Sequence, residues 1–166
     1  MADVMRIEGD IYVAGALRAQ TNTPSTSVIT DGMVAAAADI AATKLEHQFT
    51  IQYAQASTAN AAAESRTIHL VHGTAGTVLE FRCGLVTPPD GNRTATFDLK
   101  KDGVSILTAA VVLDSTNVAY TPEAGTIGTA AVADTDVLEI VVTVGGDAGT
   151  HCLGVYASVV LREDAD

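Results

Sequence analysis

The stretch "RTATFDLKKDGVSIL", Arg93 to Leu107, decides the fold class. Ala95, Phe97 and Leu99 fall on one face and Thr94, Thr96 and Asp98 on the other, the two-residue period of a strand with one dry side. Asp102-Gly103 follows directly, and this pair readily adopts the left-handed dihedrals of a two-residue type I′ turn. A strand that reverses within two residues pairs with what comes next, so the sheet is antiparallel.

The same alternation recurs on both sides of this hairpin. In "TVLEFRCGLV" (77–86), Leu79, Phe81, Cys83 and Leu85 are expected inward and Val78, Glu80, Arg82 and Gly84 outward. In "DVLEIVVTV" (136–144), Leu138, Ile140, Val142 and Val144 take the inner face. In "CLGVYASVVLRED" (152–164), Leu153, Val155, Ala157, Val159 and Leu161 do so, and Cys152 alternates against them. Further strands are expected at 50–55, 66–72, Val104 to Leu113 and, more weakly, Val118 to Ile127. That makes about eight or nine strands at roughly ten-residue spacing, which predicts an all-β, antiparallel β-sandwich. A jelly roll is the first topology and a Greek-key immunoglobulin-like sandwich the second.

Bulk properties agree. The chain has 166 residues, 48% hydrophobic and 17% charged, enough for one ordered domain that buries roughly 70% of its unfolded surface. Ala, Val, Leu, Ile and Thr carry the apolar mass and Trp is absent. A net charge of −11 argues against nucleic acid and anionic membranes, which repel a polyanion. Two cysteines without close spacing do not suggest a disulfide framework. No apolar run reaches the ~18 residues of a membrane span, and "MADVMRIEGD" lacks a signal-peptide core. Cytoplasmic synthesis is the expectation.

Residues 1–48 read differently, as an N-terminal arm before a sandwich spanning 49–166. "IEGDIYVAGALRA" (Ile7 to Ala19) alternates strictly, with Ile7, Ile11, Val13 and Leu17 on one face. Gly9 and Gly15 share that face, where a core strand would place bulk. Glycines there favour close approach of another backbone, as where chains meet. A polar linker, Gln20 to Thr30, leads to "DGMVAAAADIAATKLEHQF", the one short helical segment expected, with Asp31 as N-cap and Ala35 to Ala38 as its strongest formers. Lys44-Leu45-Glu46-His47 would form a corner into the sandwich. The candidate assembly interface is therefore Ile7, Gly9, Ile11, Val13, Gly15, Leu17, Lys44, Leu45 and His47.

Catalytic and metal signatures are weak. His69 and His72 are three apart on a strand and so face opposite ways. Cys83, Cys152 and His151 lack a CxxC unit, and a small buried hydrophobe is the expected role of Cys83. Asp134 and Asp136 fit turn chemistry. No G-x-S-x-G elbow or phosphate loop occurs. We expect no enzyme activity, no cofactor and no metal.

"GDIYVAGALRA" resembles the G-D-φ-x-V-x-G-x-L-x-A strands (φ is apolar) near the start of phage tail- and head-fibre proteins. "ITDGMVAAAADIAATKLEHQF" is similar to the segment that often follows them, at Val34, Ile40, Lys44 and Leu45. The later sandwich resembles tailed-bacteriophage decoration and fibre-head domains in size and composition. The resemblance implies a structural virion protein on the outer capsid surface, a decoration or cement protein. Its partners would be the major capsid protein and copies of itself, a trimer being typical. The alternative is a tail- or head-fibre receptor-binding protein, with loops 87–92 ("TPPDGN") and 145–150 ("GGDAGT") as recognition elements. A carbohydrate-active or calcium-dependent module is a third class.

Overall fold

The computed structural model describes residues 47–73 and 75–163. Its strands are β1 (His47–Ala54), β2 (Glu64–Leu70), β3 (Gly76–Gly84), β4 (Thr94–Lys101), β5 (Val104–Ser105), β6 (Val111–Leu113), β7 (Glu123–Gly125), β8 (Ala131–Val132), β9 (Val137–Gly145) and β10 (Tyr156–Glu163). They form two antiparallel sheets. The first runs β1-β10-β3-β7, with β8 also on β3. The second runs β2-β9-β4-β5, with β6 also on β4.

One apolar cluster joins the inner faces. In the second sheet Phe97 lies opposite Val142 and Leu99 opposite Ile140. In the first, Val159 sits between Ile51 and Phe81, and Ala157 between Tyr53 and Cys83. Phe81, Phe97, Leu99, Ile140, Val159 and Leu161 are fully buried in that shared cluster. Each large aliphatic or aromatic side chain so buried contributes about 1.5–3 kcal/mol. Two sheets around one dry layer make a sandwich-like fold. The Asp102-Gly103 turn carries φ of 50° and 80° and returns β4 onto β5, as the hairpin reading expected.

Four expectations are corrected. Val78 is buried and Leu79 is 42% exposed, the reverse of the alternation. The register of β3 on β10 shifts between Val160 and Leu161, so that Glu80 and Val78 are the paired residues and Leu79 is extra. A bulge of this kind flips every residue before it to the other face. Cys152 is buried instead of outward, because Gly154 at φ 59° breaks the strand before it regularises at Tyr156. Val104 to Leu113 is not one strand either. It divides into β5 and β6 around Ile106 and Leu107, which turn into the core. Of Val118 to Ile127 only Glu123–Gly125 is strand.

Pairing directions give the sandwich two unlike poles. Segments 55–63, 85–93, 114–122 and 146–155 gather at the loop pole. The short connections 71–73, 102–103 and 133–136 gather at the turn pole. His47 and Glu163 are direct cross-strand partners, so the described chain both enters and leaves at the turn pole. The two long sides also differ. On one, backbone bonds join Thr108 N–H to Thr126 O (2.9 Å) and Gly128 N–H to Ile106 O (2.7 Å). On the other, where β1 and β2 end their sheets, the tie is made by side chains. There the Tyr53 hydroxyl donates to Glu64 Oε2 at 2.9 Å and the Arg66 guanidinium lies 5.1 Å from the Tyr53 ring centre.

Candidate functional site

The loop pole brings together two segments that the sequence names separately. Asn92 Oδ1 accepts from the N–H groups of Asp147 (3.0 Å) and Ala148 (2.9 Å), while its amide donates to Asp147 Oδ1 at 2.8 Å. Asp90 Oδ1 accepts from Thr150 N–H. The Arg93 guanidinium donates to the carbonyls of Gly146, Asp147 and Gly149. The backbones then close in as only glycine permits. A Cβ on Gly146 (φ 77°) would stand 2.1 Å from Asn92 O, and one on Gly149 (φ 97°) 2.3 Å from Asp90 O. The Asn92 amide, with Arg93 nearby, holds the Asp147 carboxyl below the usual carboxylate range.

A third segment, 114–122, is built just as tightly. Asp114 Oδ1 accepts from Thr116 N–H (2.8 Å) and Thr116 Oγ1 (2.6 Å), which lowers its pKa. Asn117 Oδ1 accepts from Asp114 N–H, and its amide donates to Glu123 Oε1 at 3.0 Å. This Asx frame displays Val118 and Tyr120, which are 65% and 70% exposed. Tyr120 has φ 59° and donates its N–H to Leu85 O. A bulky residue in the left-handed region is strained by about 1–2 kcal/mol.

Tyr156 lies beside this frame. Its ring covers Gly84, its cross-strand partner, where a Cβ would come within 2.6 Å of the hydroxyl. Burial raises the Tyr156 hydroxyl, and Cys83 and Tyr120 add to that. Next to it a cleft of about 480 Å³ is lined by Gln52, Tyr53, Ala54, Tyr156, Ala157 and Ser158. An exposed tyrosine on fixed backbone, here Tyr120 beside the half-buried Tyr156, makes large contact area at small entropy cost. The arrangement suits recognition.

The other candidates separate. His69 Nε2 lies 3.9 Å from Glu163 Oε1 and its ring meets Phe49 edge-on at 5.4 Å. His72 stands beside Asp134 instead. Asp134 Oδ1 accepts Gly73 N–H, and Asp136 accepts Ala133 N–H and pairs with Lys101 at 3.0 Å, the turn chemistry expected of them. Cys83 and Cys152 are free, buried thiols. Burial, with Glu123 secondarily, pushes Cys83 up to about 12. Among the described residues no group of three or more His, Cys, Asp or Glu converges to hold a metal, and no helix is long and apolar enough to cross a membrane.

Of the assembly residues, Ile7, Gly9, Ile11, Val13, Gly15, Leu17, Lys44 and Leu45 lie outside the described residues, as do the expected linker and helix. His47, the last residue of the expected corner, opens β1, exposed, in register with Glu163. Sequence reasoning passed over Tyr120, Val118 and Arg93. Their roles come from loops closing across the sandwich, and the local pattern carries no mark of it. No family model matches the chain, and no curated protein matches it.

Proposed function

We propose that this chain is a structural protein of a bacteriophage particle, a capsid decoration protein whose body is a jelly roll. The strand orders β1-β10-β3-β7 and β2-β9-β4-β5 support that topology, since β1 to β4 alternate between the sheets and β9 to β10 crosses again. The single observation that carries the role is the division of the poles. Residues 1–46 join the body at His47, on the turn pole beside Glu163, and the fastened loops stand at the opposite pole. One end suits attachment and the other display.

The mechanism is geometric. An arm with apolar Ile7, Ile11, Val13 and Leu17 lies against subunits of the shell, and of its own copies, in a trimer or similar oligomer. A ligand that binds the assembled shell and not its free subunits stabilises the shell by mass action. The test is sedimentation of the purified chain with assembled shells and, separately, with unassembled subunits. Decoration at many copies per particle, with raised shell melting temperature, is expected. Equal binding to free subunits, or none to shells, overturns the proposal.

One observation favours a second reading, a fibre-head receptor binder: the strained, exposed Tyr120 on a fixed loop. Tyr120→Gly relieves that strain, so it should not lower stability. On this reading it abolishes binding of the protein to host cells. Host binding that survives the change removes the reading.

A further inference from the structure

Among the described residues, the outer edge of β1 is an unguarded strand edge. Gln55 N–H donates to Val155 O, one step beyond the Ala54–Tyr156 pair. By the alternation of an antiparallel ladder, the N–H and C=O groups of Phe49, Ile51 and Tyr53 face β10. Those of Gln48, Thr50, Gln52 and Ala54 face away. Among the described residues only β10 pairs with β1. Soluble proteins blunt such edges with lysine, proline, bulges or charge. β1, "HQFTIQYA", has no Lys, Arg, Asp, Glu, Pro or Gly, and its eight-residue register on β10 is unbroken. The neighbouring edge β2 carries Glu64 and Arg66 and is bulged between Thr67 and His69.

The inner face beside that edge is also unfinished. Phe49 and Ile51 are only partly buried, although their β10 partners Leu161 and Val159 are fully buried. A segment that completes the edge needs backbone donors and acceptors, apolar side chains toward Phe49 and Ile51, and polar ones toward Gln48, Thr50 and Gln52.

We propose that this edge receives the Ile7–Ala19 stretch of a neighbouring copy of the chain. This rests on the assembly reading above and names the surface at which copies join. The stretch supplies Ile7, Ile11, Val13 and Leu17 on one side and Glu8, Asp10, Tyr12 and Arg18 on the other, matching both faces of β1. β1 has no acidic residue to repel Glu8 and Asp10, whereas β2 would set Glu64 against them. Gln20 to Thr30, extended at up to ~3.3 Å per residue, reaches roughly 35 Å, and 31–46 as the expected helix adds about 24 Å at ~1.5 Å per residue, enough to cross to an adjacent body.

Complementation between two full-length variants tests this. Gln52→Pro removes an outward-facing donor and no β10 bond, and proline is tolerated on an edge. Val13→Asp places a charge on the apolar side of the arm. Light scattering should show each variant alone self-associating roughly tenfold or more weakly than wild type, a loss of at least ~1.4 kcal/mol. Mixing the two should restore association, because one copy offers an intact edge and the other an intact arm. Gln52→Glu, which sets a like charge against Glu8 and Asp10, serves if the proline variant shows altered circular dichroism, and Gln52→Thr should associate normally. A monomeric wild type, variants that associate normally, or a mixture that stays dissociated overturns the inference. Shell sedimentation is read separately. Edge-dependent association without shell binding would refute the decoration role and leave the exchanged strand standing.

Discussion

Gly103 and Gly146 have nearly the same left-handed φ, 80° and 77°, at opposite poles. Around Gly103 nothing lies within 4 Å of a notional Cβ, whereas Gly146 is pressed against Asn92 O. The turn pole's short connections are also bonded to one another, as in Gly73 N–H to Asp134 Oδ1 and Thr135 N–H to Val71 O, yet nothing presses on Gly103, so that glycine answers only to the dihedral angle. The loop pole fastens long segments to one another, so its glycines answer to a second chain segment as well. A long connection keeps one conformation only when something outside it supplies the bonds. Asn92, Asp90 and Arg93 supply them here.

Five substitutions probe this contrast. The largest effect is expected from Gly146→Ala. Left-handed strain of about 1–2 kcal/mol adds to an overlap that must part the two loops, for a total of ~3–4 kcal/mol in denaturant unfolding. A loss equal to that of Gly103→Ala would show that the loops are not fastened. Asn92→Ala removes the amide that binds Asp147 and Ala148 and should cost about 1–2 kcal/mol. Amide exchange should quicken at 147–150 and not at 133–136. Gly103→Ala should cost only ~1 kcal/mol, and a larger value would reveal a hidden constraint at the turn pole.

The smallest effect is in pH dependence. Asp147 at the loop pole and Asp136 at the turn pole both have folded pKa values below the ordinary 3.8. The causes are chiefly the Asn92 amide for the first, and Ala133 N–H with Lys101 for the second. A depressed carboxylate contributes stability that is whole above its unfolded pKa and is lost as pH falls through the folded value. Stability should therefore decline as pH drops below about 4. Asp147→Asn and Asp136→Asn should each flatten that limb in a urea titration, and a limb unchanged in both would show that neither bond persists in solution.

The sandwich was legible in the sequence because buried strands keep a two-residue period, and Ala95-Phe97-Leu99 and Leu138-Ile140-Val142 kept it. It was misread where one residue breaks phase. Val78 and Leu79 are both apolar, so composition gives no hint which is extra, and the choice is made by pairing with Val160 and Leu161. Cys152 was misplaced for a similar reason, since its direction is set by the dihedral of Gly154. The candidate site was legible only in pieces. Asp90-Gly91-Asn92 and Gly145-Gly146 announce turns, yet nothing local says that Asn92 reaches Asp147. Tyr120 gives no signal at all, being a single aromatic in a polar loop whose exposure depends on the bond from its N–H to Leu85.

The adjacency of His47 and Glu163 bears on how this protein can be engineered as a carrier. A passenger domain joined after Glu163 would sprout beside His47 and crowd the junction where residues 1–46 meet the body. A peptide grafted into 55–63 would face the opposite way, and that junction would stay clear.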